Sequence, residues 1–107
     1  MKDLVIDSLL SVRKTINPNG RKQCFELFGY DFLIDEDLRV WLIEINTNPY
    51  LGTPNKDMEI LVPQMLDDMC RLVVDPYFEP LHSDAVQNEN KFELIYREAR
   101  NELPAVN

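Results

Sequence analysis

Apolar positions along residues 2–16 keep to one helical face: Val5, Leu9, Val12 and Ile16 fall at i, i+4, i+7 and i+11. This spacing predicts an amphipathic helix. "NPNG" at 17–20 ends it, because Pro18 drives Asn17 out of the helical region and Gly20 permits a turn. The period then changes. Two strands are expected, from about Gln23 to Asp35 and from about Arg39 to Asn46, with a short acidic loop between them. "NTNPYLGTPN" at 46–55 reads as loop. Helical spacing returns at Met58, Leu61, Val62, Met65, Leu66, Met69, Leu72 and Val73, with Pro63 inside the pattern. The main helix is expected from about Pro63 to Asp75, after a looser turn. "DPYFEPLHSD" breaks the order again. A last helix is expected over 90–103, with Phe92, Ile95, Tyr96 and Ala99 on one side and a polar, partly disordered tail after it. The fold class is therefore α+β: helix, antiparallel β-hairpin, helix. Residues 1–78 form one unit and 79–107 a C-terminal extension.

The two strands define a register if Glu36–Arg39 is the loop. Asp35 then faces Val40, Leu33 faces Leu42, Asp31 faces Glu44, and Gly29 faces Asn46. The other face pairs Ile34 with Trp41, Phe32 with Ile43, and Tyr30 with Ile45, all bulky and apolar. In this register Asp31 and Glu44 stand directly opposite. Cross-strand Cβ atoms are roughly 4.5–5.5 Å apart. Two carboxylates at about 4 Å repel by about 4 kcal/mol at an intermediate dielectric, a large share of the ~5–15 kcal/mol that stabilises a small domain. Water, a shared proton, a basic residue or a cation must offset it. Asn46 adds an amide oxygen on the same face, and Gly29 opposite it leaves space for a ligand to approach. Two carboxylates and an amide are hard ligands of the kind Mg²⁺ accepts together with water and phosphate oxygens. The alternative is the solvated face of an antiparallel sheet, the commoner outcome for acids on an alternating strand. A calcium loop starting at Asp35 is excluded, because Arg39 and Val40 stand where that motif needs an oxygen ligand and a glycine.

Composition narrows the picture further. The chain has 107 residues, 45% hydrophobic and 28% charged, which is room for one small domain. No apolar run approaches the length of a membrane span, and "MKDLVIDSLLSVRK" lacks the features of a secretory signal. A net charge of −8 argues against nucleic acid or an anionic membrane as a direct partner, and against an acidic polypeptide docking here. Cys24 and Cys70 have neither zinc nor disulfide spacing and read as reduced, packed thiols.

"CFELFGYDFLIDEDLRVWLIEINTNPYL" resembles the closing motif of the tubulin–tyrosine ligase-like family. The family pattern is an "F-E-L-F-G-x-D" strand, a short acidic turn and a "W-L-I-E-x-N-x-x-P" strand. It is matched at Phe25 to Asp31, Asp35 to Asp37, and Trp41 to Pro49. The likeness covers about residues 1–78, and residues 79–107 resemble no family. It implies that the chain is the C-terminal piece of an ATP-grasp domain, an ATP-dependent carboxylate–amine ligase joining tyrosine or glutamate to tubulin. It implies ATP and Mg²⁺ as cofactors, with Asp31, Glu44 and Asn46 as metal ligands against the ATP phosphates. The implied chemistry activates a carboxylate as an acyl phosphate that an amine attacks. Implied partners are the amino-acid substrate and tubulin or microtubules, held through upstream regions, and the implied location is cytoplasmic, with cytoskeleton and cilia as candidate sites. The chain is shorter than the family's catalytic core: it has no glycine-rich phosphate loop, and Arg13, Lys14, Arg21 and Lys22 merely flank a turn. It is expected to be a fragment, a truncated form or a decayed copy that binds ATP weakly and is inactive alone.

Two other functions fit the same residues. One is a different ATP-grasp ligase, such as a protein glutamate ligase, since bacterial relatives also end in "E-x-N-x-x-P". The other is a non-catalytic interaction module that keeps the hairpin as a fold element. His82, the single histidine, is expected on a surface loop. Trp41 is expected to anchor the apolar sheet face, Pro49 and Thr47 to shape the turn carrying Asn46, and Met58, Met65 and Met69 to lie in the core. Glu26 shares a face with Phe28 and has Arg21 as a candidate partner.

Overall fold

A computed structural model describes residues 1–78 and 89–98. His82 and residues 99–103 of the expected last helix lie outside these. The elements run α1 (Lys2–Ile16), β1 (Gly29–Ile34), β2 (Val40–Asn46) and α2 (Lys56–Val73). The helix–hairpin–helix order matches the expected class.

α1 keeps its expected span, and the Asn17 side chain clasps the chain beyond it. Asn17 Oδ1 accepts from Arg21 N and its Nδ2 donates to Arg21 O, both at 2.9 Å. Gly20 supplies the positive φ of 58° that this turn requires. Of the apolar stripe, Val5 and Leu9 are half-buried while Val12 and Ile16 are exposed. The N-terminal half of α1 is therefore the packed end. It is tied to the hairpin by a 2.8 Å hydrogen bond between Ser8 Oγ and Tyr30 Oη.

The first strand is shorter than expected. Residues 23–28 carry no ladder, and Gln23 has a φ of 57°, outside the extended region. Only Gly29–Ile34 finds a partner, because β2 ends at Asn46 and offers no backbone further along.

The hairpin register agrees with expectation at one end and departs at the other. Gly29↔Asn46, Tyr30↔Ile45 and Asp31↔Glu44 pair as the pattern requires. Beyond them the pairs are Phe32↔Leu42, Leu33↔Trp41 and Ile34↔Val40, with a register shift between Asp31 and Phe32. Ile43 is thus the extra residue of a β-bulge. The shift moves Trp41 onto the face of Leu33 and Leu42 onto the face of Phe32, so Trp41 does not anchor the apolar face. Tyr30 and Phe32 stack on that face with ring centroids 6.1 Å apart.

The turn explains the shift. Leu38 N donates to Asp35 O and Asp35 N to Arg39 O, both at 3.0 Å. The loop therefore closes one residue tighter than a four-residue hairpin loop over Glu36–Arg39. Asp35 is its keystone: Oδ1 accepts from Asp37 N at 3.0 Å and Arg39 N at 2.8 Å, and Oδ2 accepts from the Trp41 indole Nε1 at 2.9 Å. These bonds, the indole's first, lower the Asp35 pKa below its ordinary 3.8. Trp41 is 54% exposed, so its partner is this carboxylate rather than a core.

α2 begins well before Pro63. Asn55 caps it, its Oδ1 accepting from Met58 N at 3.0 Å, and Asp57 and Glu59 sit in the first turn where the helix dipole favours them. Pro63 removes one internal N–H, but the cap and the burial of Val62 hold the first two turns. Val62 is the buried hydrophobe among the described residues, and Met58, Met65 and Met69 are half-buried. Cys24 and Cys70 are free thiols as expected, but both are exposed rather than packed. Residues 89–98 are not helical. No described helix is long and apolar enough to cross a membrane.

Two outcomes follow from the turn. Leu38 holds a φ of 61°, is 81% exposed, and takes the position where such loops favour glycine. Leu38→Gly is expected to stabilise the protein by about 0.5–1 kcal/mol in a urea titration. Asp35 binds its proton more weakly folded than unfolded, so its contribution is complete above pH 3.8 and is lost as pH falls through the lower folded value. Trp41 fluorescence should show a transition below pH 3.8 that Asp35→Asn abolishes.

Candidate functional site

The end of the hairpin distal to the turn brings three polar side chains to one point. Asp31 comes from the middle of β1, Glu44 from β2 just beyond the bulge, and Asn46 from the last residue of β2. Asn46 Nδ2 lies 3.4 Å from Asp31 Oδ2 and 3.2 Å from Glu44 Oε1. Both carboxylates therefore converge on a single amide, which offsets their repulsion with a donor they share. The amide is symmetric in shape, and a half-turn about its last torsion presents Oδ1 to the same point. The arrangement then becomes three oxygens around one position. Asp31 and Glu44 are exposed to solvent and Asn46 is half-buried, so the point is open on one side.

The sequence-predicted residues are thus brought together, and the chemistry of the donors fits a small hard cation. Among the described residues no group of three or more His, Cys, Asp or Glu side chains gathers at a metal-binding distance. Two carboxylates and an amide make a sparser set, which suits an ion that retains water and phosphate oxygens.

Gly29 plays a different part from the one expected. The space beside it is filled by Pro49: a Cβ on Gly29 would lie 3.0 Å from Pro49 Cβ and 3.8 Å from Asn46 Cβ. The glycine admits the loop after β2, which folds back over the strand end and sets where Asn46 stands. The expected role of Pro49 in shaping that turn agrees with this contact.

Two carboxylates take roles beyond those expected from the sequence. Asp35 fixes the turn, and its signal is an Asp two positions before the N–H it caps in "DEDLR". Asp68 is 2% exposed, the most buried side chain of the described residues. Its signal is a carboxylate at the helical spacing of Leu61, Met65 and Leu72.

The Tubulin-tyrosine ligase family profile matches residues 1–82. Tubulin monoglycylase TTLL3 of Danio rerio is 35% identical over 104 residues, 97% of this chain and 13% of that protein. Tubulin glycylase 3A of Drosophila melanogaster is 34% identical over 105 residues, 98% of this chain and 10% of that protein. The probable tubulin polyglutamylase TTLL9 of Mus musculus is 42% identical over 73 residues, 68% of this chain and 15% of that protein. No solved structure matches. The chain belongs to the tubulin-tyrosine ligase family, and it spans 10–15% of the length of these relatives.

The Gly29–Pro49 contact yields a direct test. Gly29→Ala should force the loop off the strand and cost about 1–3 kcal/mol of stability, read from the thermal unfolding midpoint. Gly29→Ala with Pro49→Gly should regain most of the loss.

Proposed function

We propose that this chain is the nucleotide-facing hairpin of an ATP-dependent tubulin–amino acid ligase of ATP-grasp fold. The observation that carries the reading is the convergence of the Asp31 and Glu44 carboxylates on the Asn46 amide. In this reading Asp31, Glu44 and Asn46 hold Mg²⁺ against the ATP phosphates. Bound there, the ion would neutralise phosphate charge and align the transferring phosphoryl group. The two carboxylates supply negative charge from adjacent strands, so their separation is fixed by the ladder rather than by flexible loops. The neutral Asn46 adds a ligand without adding repulsion. The Asp35 turn and the Gly29–Pro49 contact hold the two ends of the hairpin, which keeps the three donors in place.

The names of the relatives support glycine or glutamate over tyrosine as the amino acid added. Glycine is favoured, because the matches to the two glycylases run over nearly the whole chain while the polyglutamylase match covers 68%. The acceptor is tubulin, in a cytoplasmic setting. A chain of net charge −8 repels an acidic polypeptide, so the acceptor docks on another part of the protein.

Titration calorimetry of Mg·ATP into the full-length protein tests the site. Asp31→Ala and Glu44→Ala should each weaken Mg²⁺-dependent binding at least as much as the roughly 10–100-fold that loss of even an outer-shell partner costs. Unchanged affinity in both variants would remove the metal assignment and favour the interaction-module reading.

A further inference from the structure

Residues 89–98 cross the molecule in a way that the family profile, ending at residue 82, does not cover. At one end they meet α2. Lys91 N donates to the buried Asp68 Oδ2 at 3.1 Å, and Asn90 Nδ2 donates to Asp68 O at 2.8 Å. Asn90 is itself held by its Oδ1, which accepts from Phe92 N at 2.9 Å. Phe92 lines a largely apolar cavity of about 310 Å³ together with Leu61 and Met65 of α2. At the other end they meet α1. Lys2 pairs with Glu93 at 2.6 Å and Arg13 with Glu98 at 3.6 Å.

The segment is not helical, and its two ion pairs fall near the two ends of α1. Lys2 and Arg13 are separated by about 16 Å along a helix that rises ~1.5 Å per residue. Glu93 and Glu98 span about 16 Å only if the chain between them is extended at ~3.3 Å per residue. A helix over the same five steps would reach only about 7–8 Å. An extended path between Glu93 and Glu98 therefore matches the spacing of their two partners on α1, whereas a helix would leave the gap to the long side chains.

We propose that residues 89–98 are a strap that fastens α2 to α1, latched at the buried Asp68 carboxylate. The folded unit then extends to at least residue 98. Asp68 is the one buried carboxylate of the described residues, and the strap's backbone supplies it with a donor. The Lys91 N–H satisfies that buried acceptor, which would otherwise need another donor or water. The strap is independent of any metal or nucleotide.

Hydrogen exchange with mass spectrometry on the whole protein reads the strap directly. In the native protein, peptides covering 89–98 should exchange more slowly than unstructured chain. Asp68→Ala should accelerate them by about tenfold or more, the loss expected for a buried acceptor's partner. Glu93→Lys should accelerate them by about threefold, in line with an exposed ion pair, and adding Lys2→Glu should restore the native rate. If Asp68→Ala does not fold, the charge swap decides. Strap amides exchanging at the unprotected rate in the native protein would overturn the proposal. So would a Glu93→Lys variant that Lys2→Glu fails to restore.

Discussion

Everything at the candidate site depends on two carboxylates held opposite one another by an antiparallel ladder. Asp31 and Glu44 are paired across the strands, so the ladder fixes their backbone positions opposite one another. Two carboxylates so placed repel one another, the more so where water is displaced from between them. A protein keeps that arrangement where something positive or donating stands between the charges. The Asn46 amide fills that place here. The same geometry suits a cation, since an amide that can donate to both carboxylates can also turn its oxygen inward.

The rest of the hairpin serves to hold that register. Asp35 gathers two backbone N–H groups and the Trp41 indole into one carboxylate, which closes the turn tightly. The tight turn draws Trp41 opposite Leu33, and the bulge at Ile43 absorbs the mismatch before the ladder reaches Glu44. A bulge is a local cost, but it allows both the turn and the acidic pair to keep their preferred partners. At the far end Pro49 packs against Gly29 and fixes the exit of the chain from Asn46.

The helices hold the hairpin through few contacts. Ser8 reaches Tyr30, which neighbours Asp31 in β1, and Val62 and Asp68 are the buried residues of α2. Ile43, Ile60, Leu61, Trp41 and Phe78 are each more than half exposed. Residues 89–98 add cohesion that the helices lack on their own, because they touch both.

The sequence by itself determined the type and order of the four elements that form, the spans of α1 and β2, and the shared sheet face of Asp31, Glu44 and Asn46. Those follow from local periodicity and from the two-residue alternation of strands, which any window of the chain reveals. The tertiary structure decided what depends on a partner. The bulge moved Trp41 and Leu42 to opposite faces, because register is settled jointly by both strands and the turn between them. β1 began only at Gly29, because the β2 ladder ends at its partner Asn46 and residues 23–28 have no strand to pair with. α2 ran through Pro63 because a capping Asn55 and a buried Val62 outweighed one missing N–H. Residues 90–98 form no helix; they meet Asp68 through hydrogen bonds and α1 through ion pairs, partners that local periodicity does not show.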